Sequence, residues 1–243
     1  MNISKSKLSP QKQIVAMGGG GWGMEPDNPL LDSYIYNLAK KEKPKICFLP
    51  TASGDSEQYI ARFYQHFAPQ PADLSHLSLF EPPTSDLESF IFDKDIIYVG
   101  GGNTKNLIAL WKEWQLDVIL KQAWSKGIIL CGVSAGSICW FEQGLTDSIP
   151  GKYTVLQGLG FLSGSNCPHY SNVAARKPAY YRLLSEGLIA DGYAADDGVA
   201  LHFIDRKLSN IVASRPTAMA YHLANKQGKV TETPLKPKYL GTE

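Results

Sequence analysis

Short apolar runs separated by amphipathic stretches constrain the fold of this chain more than any other feature of the sequence. Four runs are each long enough for one buried strand: residues 13–17, 45–49, 95–99 and 127–131. The stretch after the first run has apolar residues at helical spacing: Leu31, Tyr34, Ile35 and Leu38. Strands that are apolar on both sides and alternate with helices are typical of a parallel sheet covered on both faces. We therefore predict a three-layer α/β fold with a mostly parallel sheet.

The rest of the chain extends this pattern. We expect helices near residues 30–40, 55–67, 104–113 and 116–126, and another strand within 73–80. After about residue 190 the apolar runs become short and closely spaced, at 199–204, 209–213 and 218–222, which predicts antiparallel C-terminal strands added to the same sheet. The 243 residues fit one domain, 1–243. We expect its first ~10 and last ~12 residues to be loosely held.

The segment Gly132–Gly136 is the most informative motif for function, because it places Ser134 between two glycines. The apolar run 127–131 leads into it, and the helix-like run 137–142 leads out. A G-x-S-x-G sequence at a strand–turn–helix junction is the arrangement of a nucleophile elbow, whose sharp turn presents the serine Oγ above the sheet edge. The alternative is an ordinary serine in a glycine-rich turn. The context favours the elbow, so we predict that Ser134 is a nucleophile.

A serine hydroxyl needs a neighbouring base to become a useful nucleophile, and histidine is the usual one. Of the five histidines, His169 stands in a turn after a Gly/Ser-rich loop, where Pro168 restricts the backbone. The others lie in helical, loop or late strand segments: His66, His76, His202 and His222. His202 and His222 alternate with apolar residues, which indicates structural roles. We therefore expect His169 to be the base, with a solvated loop histidine as the alternative.

A third residue, an acid, would orient the imidazole and balance its charge. Two aspartates fit this role. Asp197 lies in the Asp-Asp-Gly segment 196–198, at the end of a strand-like run, and Asp147 follows the predicted elbow helix. Either could instead cap a helix or stabilise a turn. The residues alone leave the choice between these two acids open.

Acyl transfer also needs N–H donors for the oxyanion that forms during the reaction. The amide of Ala135, directly after Ser134, is the usual first donor in an elbow. A second donor can come from Gly101 or Gly102, where glycine allows the backbone to approach a substrate closely. These glycines follow the run 95–99, and the carboxyl ends of parallel strands meet at one sheet edge. We therefore expect these motifs to form one site.

The run Gly18–Gly23 competes as a cofactor site, because it satisfies G-x-G-x-x-G after the first strand. A dinucleotide site needs a helix that begins at the third glycine, where the pyrophosphate binds. Here Met-Glu-Pro-Asp-Asn-Pro follows at 24–29, which is a poor start for a helix. The second strand is also not followed by an acid that could bind a ribose hydroxyl. We therefore predict no dinucleotide cofactor.

Composition argues against several other classes of function. The net charge is +1 with no basic block, which argues against a nucleic-acid partner. No apolar run approaches the length of a membrane span, and the polar N-terminus lacks the core of a signal peptide, so we expect a cytoplasmic protein. The four cysteines form no C-x-x-C pair, which favours buried thiols over a zinc site. Cys167 stands out because it lies two residues before His169.

Taken together, the motifs resemble those of peptidase family S51. This family is typified by dipeptidase E and the aspartyl dipeptidases, and it is related to cyanophycinase. The matching segments run in the family's order: 17–21, 48–52, 98–104, 132–136, 168–169 and 197–198. The resemblance covers residues 13 to about 220 and implies a flavodoxin-like fold, related to the class I glutamine amidotransferases. Those enzymes carry cysteine at the elbow, so Ser134 favours a peptidase over an amidotransferase.

Carried over residue by residue, the resemblance implies that Ser134 is the nucleophile, His169 the base and Asp197 the third member of a triad. Asp147 lies near another acid that matters in the family, at a slightly different offset from Ser134, and ranks second. Arg176 lies seven residues after His169, close to where the family has an arginine that holds an acidic substrate side chain.

The sequence therefore predicts a serine peptidase that hydrolyses small peptides, in particular dipeptides with N-terminal Asp, through an acyl-enzyme. Serine, histidine and a carboxylate suffice for this chemistry, so we expect no metal or organic cofactor. We expect a small peptide as the partner, and neither nucleic acid nor a membrane. We expect the protein to be a monomer or a homodimer. The alternatives are a cyanophycinase-like isoaspartyl peptidase and a catalytically silent small-ligand-binding protein on the same fold.

Overall fold

The computed structural model of the protein describes residues 10–242; residues 1–9, most of the N-terminal segment expected to be loose, lie outside this range. The helices within it are α1 Leu30–Leu38, α2 Glu57–Phe67, α3 Leu87–Phe92, α4 Thr104–Glu113, α5 Leu116–Ser125, α6 Ala135–Ile138 and α7 Arg176–Ser185. None of these helices could span a lipid bilayer. The longest, α2, has 11 residues, about half of what a transmembrane helix needs.

The same range forms two β-sheets. In chain order, the strands are β1 Gln13–Met17, β2 Lys45–Leu49, β3 Asp73–His76, β4 Ile96–Val99, β5 Ile129–Val133, β6 Phe141–Ile149, β7 Lys152–Gln157, β8 Leu162–Pro168, β9 Gly192–Ala195, β10 Val199–Ile204, β11 Lys207–Ala213, β12 Ala220–Lys226, β13 Lys229–Leu235 and β14 Lys238–Tyr239. The larger sheet has the order β14-β11-β10-β1-β5-β4-β2-β3, and the smaller has the order β13-β12-β9-β8-β6-β7.

The larger sheet has the parallel core that the sequence predicted. Its strands β1, β5, β4, β2 and β3 run parallel to one another. Next to β1, β10 pairs antiparallel with it, and β11 pairs antiparallel with β10. The carboxyl ends of four core strands therefore lie along one edge, at Met17, Leu49, Val99 and Val133. The glycine-rich and serine-containing motifs follow these ends directly, so the topology brings them together.

Helices cover both faces of this sheet, because successive side chains of a strand point to opposite sides. On one face, Val15 and Phe48 pack in a buried cluster with α1 and α2. On the other face, Ile14 and Leu49 belong to a cluster that includes side chains from α3, α4 and α5. This arrangement confirms the predicted three-layer α/β architecture.

The second sheet is the largest feature that the sequence analysis did not anticipate. Phe141 in β6 packs on Phe203 in β10, with ring centroids 5.6 Å apart. The hydrophobic cluster on that face of the larger sheet thus continues into the smaller one. On its opposite side the smaller sheet is covered by α7, through Tyr180 and Leu183 among others. The ends of β8 and β9 consequently lie beside the motif-bearing edge of the larger sheet.

The elbow helix is shorter than predicted. Helix α6 ends at Ile138, and β6 begins at Phe141, so the expected helix over 137–142 is wrong beyond its first residues. Trp140 explains the difference. It is fully buried and packs on Trp111 and Phe161, with ring centroids 6.0 and 5.7 Å away. Aromatic residues favour strands, and the chain turns into the second sheet here. Asp147 therefore lies on β6 rather than after a helix.

The C-terminal segment also differs from expectation. The run predicted at 218–222 forms β12, which joins the second sheet instead of extending the larger one. Residues 229–235, predicted in part to be loose, pair with β12 along seven residues. Gln227 and Gly228 both have positive φ, as the two-residue turn of a β-hairpin requires. Pro234 is tolerated because β13 is an edge strand.

His202 has the structural role that its place in a late strand predicted. It is 2% exposed on β10, and its Nδ1 and Nε2 lie 2.7 Å from the Tyr34 hydroxyl and 3.1 Å from Gln13 Oε1. Burial disfavours the charged imidazolium and lowers the pKa of His202 from 6.5 to about 4. The folded protein therefore holds this ring neutral at pH values where an unfolded chain would protonate it.

We expect this histidine to make the fold sensitive to mild acid. Between pH 6.5 and about 4 His202 takes up a proton in the unfolded chain but not in the folded one, so its own contribution to the free energy of unfolding should fall by at most about 3 kcal/mol as the pH drops. Urea titrations at pH 7 and pH 4 will measure this loss as the difference between the unmodified protein and His202→Gln. His222→Gln is the matched control. An equal pH dependence in both variants would contradict this role.

Candidate active site

Ser134 lies at the sharp turn between β5 and α6, as the elbow motif predicts. Its backbone has φ 56° and ψ −110°, an uncommon conformation for a residue with a side chain. Its amide donates to the carbonyl of Met17 at 3.2 Å. The side chain is partly exposed although the neighbouring residues are buried. The turn therefore presents the hydroxyl at the sheet edge, where a ligand can reach it.

The two elbow glycines are required by close backbone contact. A Cβ on Gly132 would overlap the carbonyl of Gly136 across the turn, and a Cβ on Gly136 would overlap the carbonyl of Val99 at the end of β4. The turn is therefore packed directly on the neighbouring strand. This packing brings the segment after β4 beside Ser134, so that a Cβ on Gly101 would lie 3.4 Å from the Cβ of Ser134.

His169 directly follows β8 of the second sheet. Its amide donates to the carbonyl of Gly18 at 3.1 Å, and its φ is 56°. Ser134 bonds to the carbonyl of the preceding residue, Met17. Two consecutive carbonyls at the end of β1 thus hold the backbones of Ser134 and His169. The backbones of these two predicted residues, which follow strands of different sheets, are thus held at the same strand end.

Asp197 is the acid that pairs with His169. Its Oδ1 lies 2.5 Å from His169 Nδ1, and both side chains are largely buried, at 12% and 14% exposed. The amide of Asp197 donates to Asn172 Oδ1 at 2.7 Å, which fixes the turn that carries the carboxylate. Asp196 has a different role, since its carboxylate accepts hydrogen bonds from the amides of Ser171 and Met219. Of the two adjacent aspartates, only Asp197 faces the imidazole.

Gly19 makes room for the His169–Asp197 pair. A Cβ on Gly19 would overlap Asp197 Oδ1 and would come within 2.9 Å of His169 Cε1. The carbonyl of Gly19 accepts a hydrogen bond from the amide of Gly198 at 3.0 Å. Helix α1 begins at Leu30, so no helix starts at Gly23 as a dinucleotide site would need. In this structure the glycine run packs closely against the histidine and the acid.

The amides predicted to bind an oxyanion have different surroundings. Ala135 is the first residue of α6, where helical N–H groups lack internal partners. Gly101 faces Ser134, whereas Gly102 has φ 140° and packs so closely on the carbonyl of Ala52 that a side chain would overlap it. Of Gly101 and Gly102, Gly101 thus lies nearer to Ser134. The lack of a side chain on Gly102 lets the backbone pack against the loop after β2.

Asp147 and Arg176 pair with each other and not with His169 or Asp197. Arg176 Nη2 lies 3.0 Å from Asp147 Oδ1, and Nη1 donates to the carbonyl of Leu145 at 3.3 Å. The arginine side chain is 4% exposed, whereas that of Asp147 is 58% exposed. The guanidinium also lies over the ring of Tyr153, 5.6 Å from its centroid. Arg176 is the first residue of α7 and buried, so a surface position at the helix start is excluded.

All four cysteines are buried free thiols, as predicted. Burial raises the pKa of Cys167 to about 12, although the nearby Arg176 lowers it in part. The Cys167 thiol therefore stays protonated at neutral pH and is a poor nucleophile, despite its closeness to His169 in the sequence. Within residues 10–242, no three His, Cys, Asp or Glu side chains are grouped in a way that could hold a metal ion.

Sequence reasoning missed Asn172 and the role of Gly19. Asn172 orients the Asp197 turn from the exposed loop between His169 and α7, and nothing in its local pattern marks that contact. Gly19 was noted only as part of a cofactor-like run. The signal for its role was the absence of a helix after that run, which left close backbone approach as the remaining reason for consecutive glycines.

Comparison with known proteins places this geometry in context. The sequence profile of peptidase family S51 matches residues 14–211. The uncharacterized peptidase YgaJ of Bacillus subtilis (strain 168) is 58% identical over 230 residues, covering 95% of this chain and 100% of that protein.

Two solved structures share the fold. The crystal structure of a peptidase from an acI-B1 Actinobacterium has a TM-score of 0.70 at 18% identity, over 94% of this chain and 96% of its own. A putative peptidase E protein from Listeria monocytogenes EGD-e has a TM-score of 0.58 at 16% identity, over 93% of this chain and all of its own. These two likenesses support the fold.

Proposed function

The chain belongs to peptidase family S51, and we propose that it cleaves short peptides through an acyl-enzyme formed on Ser134. The observation that supports this most is the 2.5 Å contact between His169 Nδ1 and Asp197 Oδ1, beside a serine whose backbone is bonded to the neighbouring carbonyl. A nucleophile, a base and an orienting acid are the three parts that serine acyl transfer needs.

The proposed reaction uses each side chain at a stated atom. The Oγ of Ser134 attacks the scissile carbonyl carbon, and His169 Nε2 takes the hydroxyl proton. Asp197 accepts a hydrogen bond from Nδ1–H, which selects the tautomer that leaves Nε2 free and stabilises the imidazolium. The imidazolium then protonates the leaving amine as the peptide C–N bond breaks. Water, activated by the same imidazole, hydrolyses the acyl-enzyme and restores Ser134.

For the oxyanion, we propose the amides of Ala135 and Gly101 as the donors, with Gly102 as a further candidate. Ala135 immediately follows the nucleophile, and Gly101 faces it without a side chain in between. Preorganised backbone donors of this kind stabilise the charge that develops on the carbonyl oxygen. The packing of Gly102 on Ala52 would then hold the Gly101 amide in place.

We propose that the enzyme prefers an acidic residue and that this preference depends on Arg176. Its guanidinium can supply two parallel donors to a carboxylate. In the structure Nη2 pairs with Asp147 and Nη1 donates to the carbonyl of Leu145, so a substrate carboxylate would have to replace Asp147. The Asp147 side chain is 58% exposed and can move into solvent, and the incoming carboxylate would then take over its pairing with the buried guanidinium.

Removing the nucleophile tests the proposal directly. Ser134→Ala should lower kcat at least ~10³-fold without a change in fold, because catalysis then depends on binding and the oxyanion donors alone. A fluorophosphonate should label the unmodified protein at Ser134 and fail to label the variant. Ser137→Ala removes a hydroxyl on the same short helix and is the matched control. Labelling of neither protein would favour a silent binding protein, and normal turnover by folded Ser134→Ala would exclude the mechanism.

The roles of the two candidate acids can be distinguished by replacing each of them with asparagine. Asp197→Asn keeps the size but loses the charge that stabilises the imidazolium, so kcat should fall about 10³–10⁴-fold. Asp147→Asn should change kcat less than about tenfold, because its partner is Arg176. Circular dichroism will verify that both variants fold. The opposite ranking would transfer the triad role to Asp147.

Substrate profiling tests the acidic preference. Arg176→Met retains volume but loses the donors, and kcat/KM for Asp-Leu should fall about 10- to 150-fold while that for Ala-Leu changes little. Arg182→Ala, on the same helix but exposed and paired with Glu186, is the control. The panel includes β-linked Asp-Leu, whose preferred cleavage would indicate an isoaspartyl peptidase. Equal losses on Asp-Leu and Ala-Leu would limit Arg176 to a structural role.

A further inference from the structure

A buried carboxyl lies behind the candidate active site and has no part in the chemistry proposed above. Asp32 on α1 is 3% exposed. Its Oδ1 accepts a hydrogen bond from the Tyr98 hydroxyl at 3.2 Å, and the backbone N–H of Trp22 lies close enough to interact with the carboxyl. Its Oδ2 has no hydrogen-bond partner among the described residues, and His66 Nε2 lies 3.5 Å from it. A buried carboxyl needs a reason to remain, because removing it from water is costly.

The surroundings indicate that Asp32 is neutral when buried. Burial raises its pKa from 3.8 to about 7, a rise that Tyr98 and the Trp22 amide oppose and that the negative Glu25 increases. Burial also lowers the pKa of His66, so that ring is neutral as well. The titratable groups that face Asp32 come from α2, β4, β5 and the loop after β1: Tyr59, His66, Tyr98, Cys131 and Glu25.

These states give each carboxyl oxygen a partner. A hydrogen on Oδ2 of the neutral acid would have His66 Nε2 as its neighbour at 3.5 Å, while Oδ1 accepts from the Tyr98 hydroxyl and the Trp22 amide lies beside the carboxyl. The cavity beside Asp32 holds no more than a water-sized molecule, which excludes a bound metabolite. The remaining function for this carboxyl is to hold the segments that surround it.

One of those segments is the loop that packs on the His169–Asp197 pair. Gly21 sits directly on the buried group, since a Cβ there would lie 2.8 Å from the Tyr98 hydroxyl and 3.3 Å from Asp32 Oδ1. The next residue, Trp22, is 2% exposed. Two residues before Gly21, Gly19 contacts both Asp197 and His169. The loop 18–23 therefore joins Asp32 at one end to the histidine–acid pair at the other.

We propose that Asp32 is a positioning residue that holds the loop 18–23, and through Gly19 the His169–Asp197 pair, in its working geometry. The inference about the His169–Asp197 pair rests on the proposed function, whereas the inference about the loop does not. Asp32 touches no substrate. It acts through its contact with the Trp22 amide and through the packing of Gly21 on its carboxyl.

Asparagine reproduces the neutral acid, and alanine does not. In Asp32→Asn, Oδ1 can accept from Tyr98 and Trp22 while Nδ2 donates to His66, so the loop should stay in place. Asp32→Ala removes all of these contacts. Amide hydrogen exchange in peptides that cover residues 18–25 should be faster in Asp32→Ala and unchanged in Asp32→Asn. Asp27→Asn, an exposed acid in the same segment, is the control.

The rate at which a fluorophosphonate labels Ser134 measures the effect on the site without a need for the physiological substrate. Asp32→Ala should be labelled about 10- to 100-fold more slowly at pH 6, because displacements of about 1 Å cost that much. Between pH 6 and pH 8 the rate of the unmodified protein relative to Asp32→Asn should fall by up to about tenfold, since about nine-tenths of a carboxyl with a pKa near 7 is ionised at pH 8.

The stability of the fold should show the same preference for the neutral Asp32 carboxyl. The folded protein retains the Asp32 proton between pH 3.8 and about 7 while an unfolded chain loses it, so the free energy of unfolding declines as the pH rises through this window. The melting temperature of Asp32→Asn relative to the unmodified protein should therefore increase from pH 4 to pH 8.

The outcomes separate the two proposals. Unchanged exchange in Asp32→Ala, or a pH-independent ratio of labelling rates, would overturn the positioning role. Faster exchange with unchanged labelling would restrict Asp32 to stabilising the loop and would also overturn it. If Ser134 of the unmodified protein is never labelled, the proposed function fails and the catalytic part of this inference fails with it, while the exchange data still decide whether Asp32 holds the loop.

Discussion

The carbonyl groups of Met17 and Gly18 are the point on which the candidate site depends. They accept hydrogen bonds from the amides of Ser134 and His169, two residues that follow strands in different sheets. A buried amide without a partner would cost about 1–3 kcal/mol, so each of these backbone bonds strongly restricts where its residue can lie. One strand end, β1, thus sets the distance between the serine and the histidine without any side chain of its own.

Close approach at this strand end is possible only because it continues into glycines. A side chain on Gly18 would overlap the carbonyls of Ala195 and Asp196, where the chain leaves the second sheet. Ser134 and His169 also adopt positive φ values, each of which costs about 1–3 kcal/mol for a residue with a side chain. The surrounding backbone hydrogen bonds hold these conformations. The glycine run therefore allows the close packing that holds Ser134 and His169 in their strained conformations.

The sequence was sufficient for the parts of the fold that depend on local pattern. The apolar runs located β1, β2, β4 and β5, and glycines around a serine located the elbow. The second sheet was not predicted, because strands such as Leu162–Pro168, with its Gly and Ser residues, lack a local apolar pattern and gain stability from pairing with distant segments. For the same reason the choice between Asp147 and Asp197 required the structure. It depends on which turn reaches His169 across 28 residues of chain, and no local spacing encodes that distance.

The position of Asp197, between a strand of one sheet and a strand of the other, has a consequence for the order of folding. The chain crosses from β9 to β10 at residues 196–198, and β10 then pairs with β1 at the opposite end of the sequence. Such distant pairings form late, because closing a long loop precedes any gain from the contact. A chain growing on the ribosome would therefore carry the serine long before it could place the acid beside the histidine, and the proposed peptidase would stay inert until β10 had been made and had paired with β1.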